Sequence, residues 1–411
     1  MKLAPAALCI FALASAASAQ STFGTVLGTV KDPSGLVVPK SKIELVNTGT
    51  NAVRSVESAL DGLYQFVNVD VGTYRITVEA LGFEKIVVPP FDLTARETKR
   101  VDVDLSLAAQ SATVNVASIP VIQTDVSNIA ETKGSLELTD LPVAIATRAS
   151  GSTSAFSTLT AQPGVQTDGG AIMVAGAGPS QISSSIDGIS SVGPGYSFGP
   201  FAELFPSFYA IEEIRISETL NPAEFGGVAD ITTVTKSGTN AFHGGAFDNL
   251  QNDAFNASDT FSHEKTRIRM NDFGTYLGGP VLIPKLYNGH DKTFFFGSYE
   301  VLRLPKTQTS ILSVPTQAMR NGDLSAYLDT GLSGADNHLI GYPGNIIPND
   351  HLNPFAQKLL NLFYPLPNFG TPGAISNNYL ASYDLPINSA QGDIRVDEMI
   401  SPKHHTRIDV L

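Results

Sequence analysis

The stretch "VTKSGTNAFHGGAFDNLQND", residues 234–253, decides how the chain is read. It sets Lys236, Ser237, Gly238 and Thr239 in a row ahead of the pair Gly244 and Gly245, and so superficially resembles a phosphate-binding loop. A Walker-type loop needs G-x-x-x-x-G-K-[ST], with glycines opening the main chain before the lysine. Here Lys236 follows Ile231-Thr232-Thr233-Val234-Thr235, a β-branched run that favours a strand. No helix-forming run follows Ser237 to receive a phosphate on its dipole. Gly176 and Gly178, and Gly193 and Gly195, are lone pairs without a strand-to-helix context. Residues 237–240 therefore read as a tight connection between a strand over 230–236 and another over 241–249.

The rest of the chain sets the context for that connection. Its 411 residues give room for several domains. Lys2, the apolar run 3–16 and Ala17-Ser18-Ala19 before Gln20 form a secretory signal peptide, and the run is too short for a spanning helix. The single cysteine, Cys9, lies inside that leader, so the mature chain has neither disulfides nor thiolate chemistry. Without Lys2 the 26 basic residues become 25 against 39 acidic ones, a charge of −14. That balance, with no basic patch, argues against nucleic acid as a partner. Only 16% of residues are charged while Gly (36) and Pro (25) are plentiful, which suits β-structure rich in turns. No later segment has 18 consecutive apolar residues, which excludes a helical membrane protein but not a barrel of short, alternating strands.

Residues 24–107 predict a small β-sandwich. Seven strand-like runs, "TVLGTVKD", "SKIELVN", "AVRSVES", "LYQFVNV", "TYRITVEA", "EKIVVPPFDL" and "KRVDVDLSL", are separated by turns at Asp32-Pro33-Ser34-Gly35, Asp61-Gly62 and Val71-Gly72. In "TYRITVEA", Tyr74, Ile76 and Val78 share one face and Arg75, Thr77 and Glu79 the other. Residues 108–130 read as a linker of small polar residues with one strand-forming core, Thr113, Val114, Asn115 and Val116. No H-x-x-E or H-E-x-x-H arrangement occurs; His243 and His263 are isolated and His404-His405 are adjacent. Neither a metal, nor a cofactor, nor an enzymatic activity is expected, and Glu212, Glu213 and Glu224 read as solvated strand faces.

The front segment resembles the carboxypeptidase regulatory-like domain, a transthyretin-like accessory module without peptidase chemistry. The likeness rests on the D-x-x-G turn, D-G-x-Y-x-F and the G-x-Y-x-(apolar)-x-V stretch ending in G-F, all contained in residues 28–83. "AEFGGVADITTVTKSGTNAFHGGAFDNLQNDAFNA" resembles the end of the plug domain of TonB-dependent outer-membrane receptors. "QPGVQTDGG", "SSIDGISS" and "IEEIRISETLNPAEFGG" upstream, and "DFGTYLGGPVLIPKLYNGHDKTFFFGSYEVLR" and "SVPTQAMRNGDLS" downstream, are similar to further motifs of that family. The arginine-rich opening of many plugs is reduced to Arg148.

The resemblance implies a mainly β protein. Residues 1–19 would be the signal peptide, 20–107 the transthyretin-like sandwich, 108–130 a linker, 131–240 an α+β plug, and 241–411 the first strands of an incomplete transmembrane β-barrel. In "NDFGTYLGG", Phe273, Thr275 and Leu277 face one way and Asp272, Gly274, Tyr276 and Gly278 the other. In 351–369, Phe355, Leu359, Leu360 and Phe363 have helical spacing, and a short helix is expected inside a long loop at about 315–365. A plugged barrel needs ~22 strands of ~9–11 residues, and an open sheet cannot lie in lipid. The stretch after Asn240 is too short for that, so a truncated reading frame or a second polypeptide is expected.

By resemblance, the function is energised uptake of a scarce ligand, whether an iron chelate, a cobalamin or a glycan fragment. A TonB-type energy-coupling protein, outer-membrane lipid and a small-molecule or glycan ligand are the implied partners, with the N-terminal domains periplasmic. Thr113–Val116 is the candidate segment to pair as an added strand with the coupling protein. Tyr196, Phe198 and Phe201, in the loop 192–201, are candidates to face the ligand. The alternative reading is an outer-membrane adhesin or structural surface protein that transports nothing.

Overall fold

The structure, a computed structural model, describes residues 22–107, 129–140, 155–168, 171–192, 206–219, 221, 227–255, 257–258, 268–305, 307–328, 338–401 and 404–410. It is mainly β, as expected. The chain divides into two compact units, one of residues 1–251, 270–303 and 388–411, the other of residues 252–269 and 304–387.

The first unit opens with the sandwich. Its strands are β1 (Gly24–Lys31), β2 (Lys42–Asn47), β3 (Val53–Glu57), β4 (Leu63–Val69), β5 (Gly72–Glu79), β6 (Ile86–Val87), β7 (Phe91–Leu93), β8 (Thr98–Arg100) and β9 (Val103–Asp104). One sheet runs β4-β1-β8, with β9 also on β1; the other runs β3-β2-β5-β6, with β7 on β5. The seven expected runs become nine strands. Pro89-Pro90 carry no N–H and so interrupt the ladder between β6 and β7. The D-G-x-Y-x-F motif works as its chemistry suggests: Gly62 takes a left-handed φ of 72° that a side chain would resist, and Tyr64 and Phe66 are buried behind it. With Val26, Ile43, Leu45, Ile76, Val78 and Leu93 they form the sandwich core.

A central sheet follows. β10 (Ile129–Gly134) leads into a short helix, α1 (Ser135–Asp140), and β11 (Val165–Asp168) and β12 (Ala171–Val174) form a hairpin. β13 (Ile182–Ile186), β14 (Ile189–Ser190), β15 (Ile211–Thr219) and β16 (Ala229–Thr235) complete the set, in the order β10-β15-β16-β13-β14. β13 and β16 are parallel, with Ser183 opposite Asp230 and Ile186 opposite Thr233. Asp187 and Gly188, with φ of 48° and 87°, make the two-residue turn from β13 to β14, since both positions of such a turn are left-handed. Leu138, Phe156, Leu159, Phe208, Ile214, Ile216 and Ile231 are buried together in its core.

The third element is a wall of long antiparallel strands. β17 (His243–Asn252) and β18 (Arg269–Pro280) begin it; the small hairpin β19 (Leu282–Ile283) and β20 (Tyr287–Asn288) leads to β21 (Thr293–Leu304). The chain then forms β22 (Thr307–Leu312) and β23 (Tyr379–Asp384) and returns as β24 (Ile387–Ser401) and β25 (His404–Val410). The sheet order is β17-β18-β21-β24-β25. Residues 237–240 therefore join two different sheets, not the two arms of one hairpin.

In the second unit β22 and β23 pair antiparallel, near α2 (Gln317–Arg320) and α3 (Pro354–Phe363) in the chain. The helical spacing read in 351–369 is this α3, started by Asn353, whose side chain accepts from the N–H groups of Phe355 and Ala356. Arg320 ends it. Its guanidinium, buried, donates to the main-chain oxygens of Leu360, Tyr364 and Pro365, the last two beyond the helix; the Leu360 oxygen also accepts the Tyr364 N–H.

Candidate functional site at the seam between central sheet and wall

The wall inverts the usual arrangement of a β-sheet. Across β24 and β25, Ile394 lies opposite Val410 and Val396 opposite Ile408; on the other face Arg395 lies opposite Asp409 and Asp397 opposite Arg407. Ile394, Ile408 and Val410 are each more than 60% exposed, whereas Arg395 and Asp397 are 7% and 5% exposed. β18 repeats the pattern, with Phe273 and Leu277 exposed and Asp272 fully buried. Burying the charges and exposing the branched apolar residues is costly in water. The arrangement suits a sheet whose outer face meets hydrocarbon and whose inner face meets polar groups.

The central sheet supplies those polar groups. Arg395 donates through Nη1 to the Thr235 main-chain oxygen at 2.7 Å. It also forks onto Asp397, with Nε and Nη2 at 2.8 and 3.1 Å from the two carboxylate oxygens. Asp187, in the β13–β14 turn, lies 3.7 Å from Arg395 and 3.5 Å from Arg407. The turn is held for this purpose: Asp187 accepts from the N–H and hydroxyl of Thr235 at 3.1 and 2.6 Å. Aromatic rings close the other side of the seam. Tyr209, just before β15, stacks on Phe247 of β17 with ring centroids 3.6 Å apart, and Lys236 Nζ sits 4.9 Å above the Tyr276 ring of β18.

The connection 237–240 is where the three parts meet. Asn240 donates through its side-chain amide to Asp291 Oδ1 at 2.7 Å and accepts the Asp291 N–H at 2.8 Å. Its main-chain N–H donates to the Gly49 oxygen in the sandwich at 2.9 Å, and Asn51 adds a 3.0 Å bond to Asp291. Two stretches first singled out separately in the sequence, S-G-T-N and D-K-T-F-F-F, thus meet. Gly238 allows it: a Cβ there would lie 2.4 Å from the Phe295 oxygen.

One sequence reading is corrected. Glu213 is not a solvated strand face; it is buried on β15 and accepts the Ala95 N–H of the sandwich at 2.5 Å. Burial pushes its carboxyl up to about 7, against the pull of that N–H; Glu212 and Glu97 add to the rise and Arg215 opposes it. Glu212, its neighbour, is exposed, and Glu224 lies outside the described residues. So do the candidate coupling segment Thr113, Val114, Asn115 and Val116 and the candidate ligand-facing residues Tyr196, Phe198 and Phe201. Sequence reading passed over Arg96, Asp187, Asp230, Arg395 and Arg407. The one usable signal was the alternation of Arg and Asp with Ile and Val in "DIRVDE" and "TRIDV".

Residues 25–106 match the family model of the carboxypeptidase regulatory-like domain, and residues 234–410 that of an outer membrane beta barrel domain. The chain carries both domains. The second begins at Val234, inside the stretch that first suggested a phosphate loop. Beyond them, the chain is homologous to the TonB-dependent transporter Oar of Myxococcus xanthus, with 27% identity over 289 residues. The alignment covers 66% of this chain and 26% of that protein, so the chain spans about a quarter of its relative's length. Among solved structures, the Bacillus anthracis TIE protein aligns at 16% identity, over 21% of this chain and 17% of that one, with a TM-score of 0.19. Hydroxyquinol 1,2-dioxygenase from Pseudomonas putida aligns at 10% identity, over 21% of this chain and 57% of that one, also at 0.19. Such scores carry no argument about function. Among the described residues no group of side chains is arranged to hold a metal ion. No helix among them is long and apolar enough to cross a membrane, which says nothing of a β-barrel.

Proposed function

We propose that the protein acts in the outer membrane as a TonB-dependent transporter, with the regulatory-like sandwich and linker on the periplasmic side and the central sheet as the plug. The reading is carried by the face inversion of β24 and β25: apolar Ile394, Ile408 and Val410 outward, and Arg395, Asp397, Arg407 and Asp409 inward against Asp187 and Thr235. Homology to a transporter and the barrel-domain match support it. The ligand class is an iron chelate, a cobalamin or a glycan fragment, taken up at the expense of an energy-coupling partner. Thr113–Val116 pairs with that partner by strand addition, and Tyr196, Phe198 and Phe201 face the ligand.

The experiment is an uptake assay in cells producing the protein, with radiolabelled ferric siderophores, cobalamin and oligosaccharides as probes. Accumulation of one probe, at least tenfold reduced by deleting residues 108–118 while the protein stays in the outer-membrane fraction, is expected. A cysteine replacing Asn115 should also form a disulfide with cysteine variants of a TonB-type protein. Outer-membrane protein that accumulates no probe, or uptake unchanged by the deletion, sinks the proposal and leaves the adhesin reading standing.

A further inference from the structure

The turn between β7 and β8 of the sandwich, Thr94-Ala95-Arg96-Glu97, enters the central sheet. Arg96 holds a left-handed φ of 57° there, which costs energy for a long side chain and persists only where surroundings fix it. Its guanidinium is ion-paired with Asp230 at the start of β16; the two side chains are 8% and 1% exposed. Its Nη2 also donates to Ser185 Oγ at 3.3 Å. Asp230 is saturated, since Ser183 Oγ and Thr232 Oγ1 donate to it at 2.5 and 2.7 Å. Beside this pair, Ala95, fully buried, donates to Glu213, and Thr94 Oγ1 accepts from Arg215 Nη1 at 3.4 Å. Glu97 stiffens the turn by accepting from the Thr94 N–H at 2.9 Å.

We infer that the turn 94–97 is a clasp that fastens the regulatory-like domain to the central sheet through Arg96 and Asp230, and thereby restrains β16. Other described contacts between the sandwich and the rest of the first unit differ in kind: the Asn240 N–H to Gly49 oxygen is a single main-chain hydrogen bond. Asn51 to Asp291 is an exposed hydrogen bond, and Asp70 to Arg407 a 3.8 Å ion pair with the Asp70 side chain 35% exposed. Exposed contacts of that kind add little, whereas removing one partner of a buried ion pair leaves a charge uncompensated. β16 runs from Asp230, under the clasp, to Thr235, where Arg395 of the wall takes hold, about 16 Å further on. One strand is thus gripped at both ends, by the accessory domain at one and by the wall at the other. The clasp stands on these contacts alone; only its bearing on transport rests on the proposed function.

The test uses the full chain in detergent with a specific protease site inserted between residues 119 and 127. After cleavage, the sandwich should stay bound to the remainder through gel filtration. Arg96→Ala should speed its release by roughly a hundredfold or more, and Asn51→Ala by less than about tenfold. Hydrogen exchange of the amides 229–235 should quicken in the Arg96→Ala protein before cleavage. Should Arg96→Ala not accumulate, Arg96→Lys, which keeps the cation but not the fork, should give intermediate release and exchange. Immediate loss of the cleaved sandwich from the unsubstituted protein, or equal retention in the Arg96 variants, overturns the inference. Neither readout involves transport, so its failure is distinguishable from failure of the uptake assay.

Discussion

Arg395 of β24 reaches across to the main chain of Thr235, the last residue of β16, and binds its carbonyl oxygen at 2.7 Å. A main-chain acceptor cannot be changed by a side-chain substitution at 235, so this seam depends on the arginine. Arg395→Met keeps the length and loses the charge. It leaves Asp187, Asp397 and the Thr235 carbonyl short of a donor, a loss of roughly 3–5 kcal/mol for a buried pair. Arg407, which also faces Asp187 and Asp397, offsets part of this, and the lower end is expected. The check is chemical denaturation in detergent micelles, where the Met variant should unfold at lower denaturant with an unchanged slope.

Ile408 tests which solvent the outer face meets. It is 62% exposed, and a surface Ile→Lys change in a water-soluble sheet stays within about ±0.5 kcal/mol. On a lipid-facing strand the same change costs roughly 2–4 kcal/mol near the bilayer midplane. Ile408→Lys should therefore reduce the yield of folded protein in lipid vesicles severalfold, while Thr406→Lys, nearer the strand end, costs less. Equal yields for the two variants and the unsubstituted protein would remove the membrane assignment of β25.

Most of the architecture was legible locally, and the seam was not. Asp61-Gly62, Val71-Gly72 and the alternation in "NDFGTYLGG" each announce a turn or a strand by the conformation the residues require. The sandwich, the mainly β character and the wall follow from them. Glu213 shows why the site escaped. On β15 it shares a face with Arg215 and Ser217, a polar pattern that reads as solvent-facing, yet the cover is a turn 118 residues earlier in the chain. Arg96 and Asp230 are 134 residues apart, and no spacing rule links such positions. For Arg395 and Asp397 the alternation was visible, but only the central sheet decides that the charged face is the covered one.

Glu213 also gives a pH dependence whose sign is fixed by its environment. Burial holds its carboxyl at about 7 in the folded chain against an ordinary 4.5, so the folded state binds that proton more tightly than the unfolded chain. Its contribution is fully present below about pH 4.5 and is lost as pH rises through 7, a decline on the order of 3 kcal/mol. The charges of Glu97, Glu212 and Arg215 act on the same carboxyl. Glu213→Gln keeps an oxygen to accept the Ala95 N–H but cannot ionise. Stability measured by denaturation between about pH 5 and 7.5 should fall for the unsubstituted protein and fall less for the Gln variant. Parallel pH profiles would mean that this carboxyl keeps an ordinary affinity for its proton.

Gly238 answers the resemblance to a phosphate loop in energetic terms. Its lack of a side chain lets residues 237–240 cross close to the wall: an added Cβ would lie 2.4 Å from the Phe295 oxygen, 2.7 Å from the Gly279 oxygen and 2.8 Å from the Phe295 nitrogen. All three are main-chain atoms of β18 and β21, so no rotamer change relieves the overlap. The backbone must shift, at roughly 1–3 kcal/mol. Gly134, in β10, has open space where a Cβ would go and an ordinary φ. Gly238→Ala should lower the melting temperature by several degrees and expose Asn240 and Asp291 to faster amide exchange, whereas Gly134→Ala should leave the melting temperature unchanged or slightly raised. A nucleotide site would behave otherwise, with ATP raising the melting temperature and Gly238→Ala changing that rise; here added ATP should shift the melting temperature of neither protein.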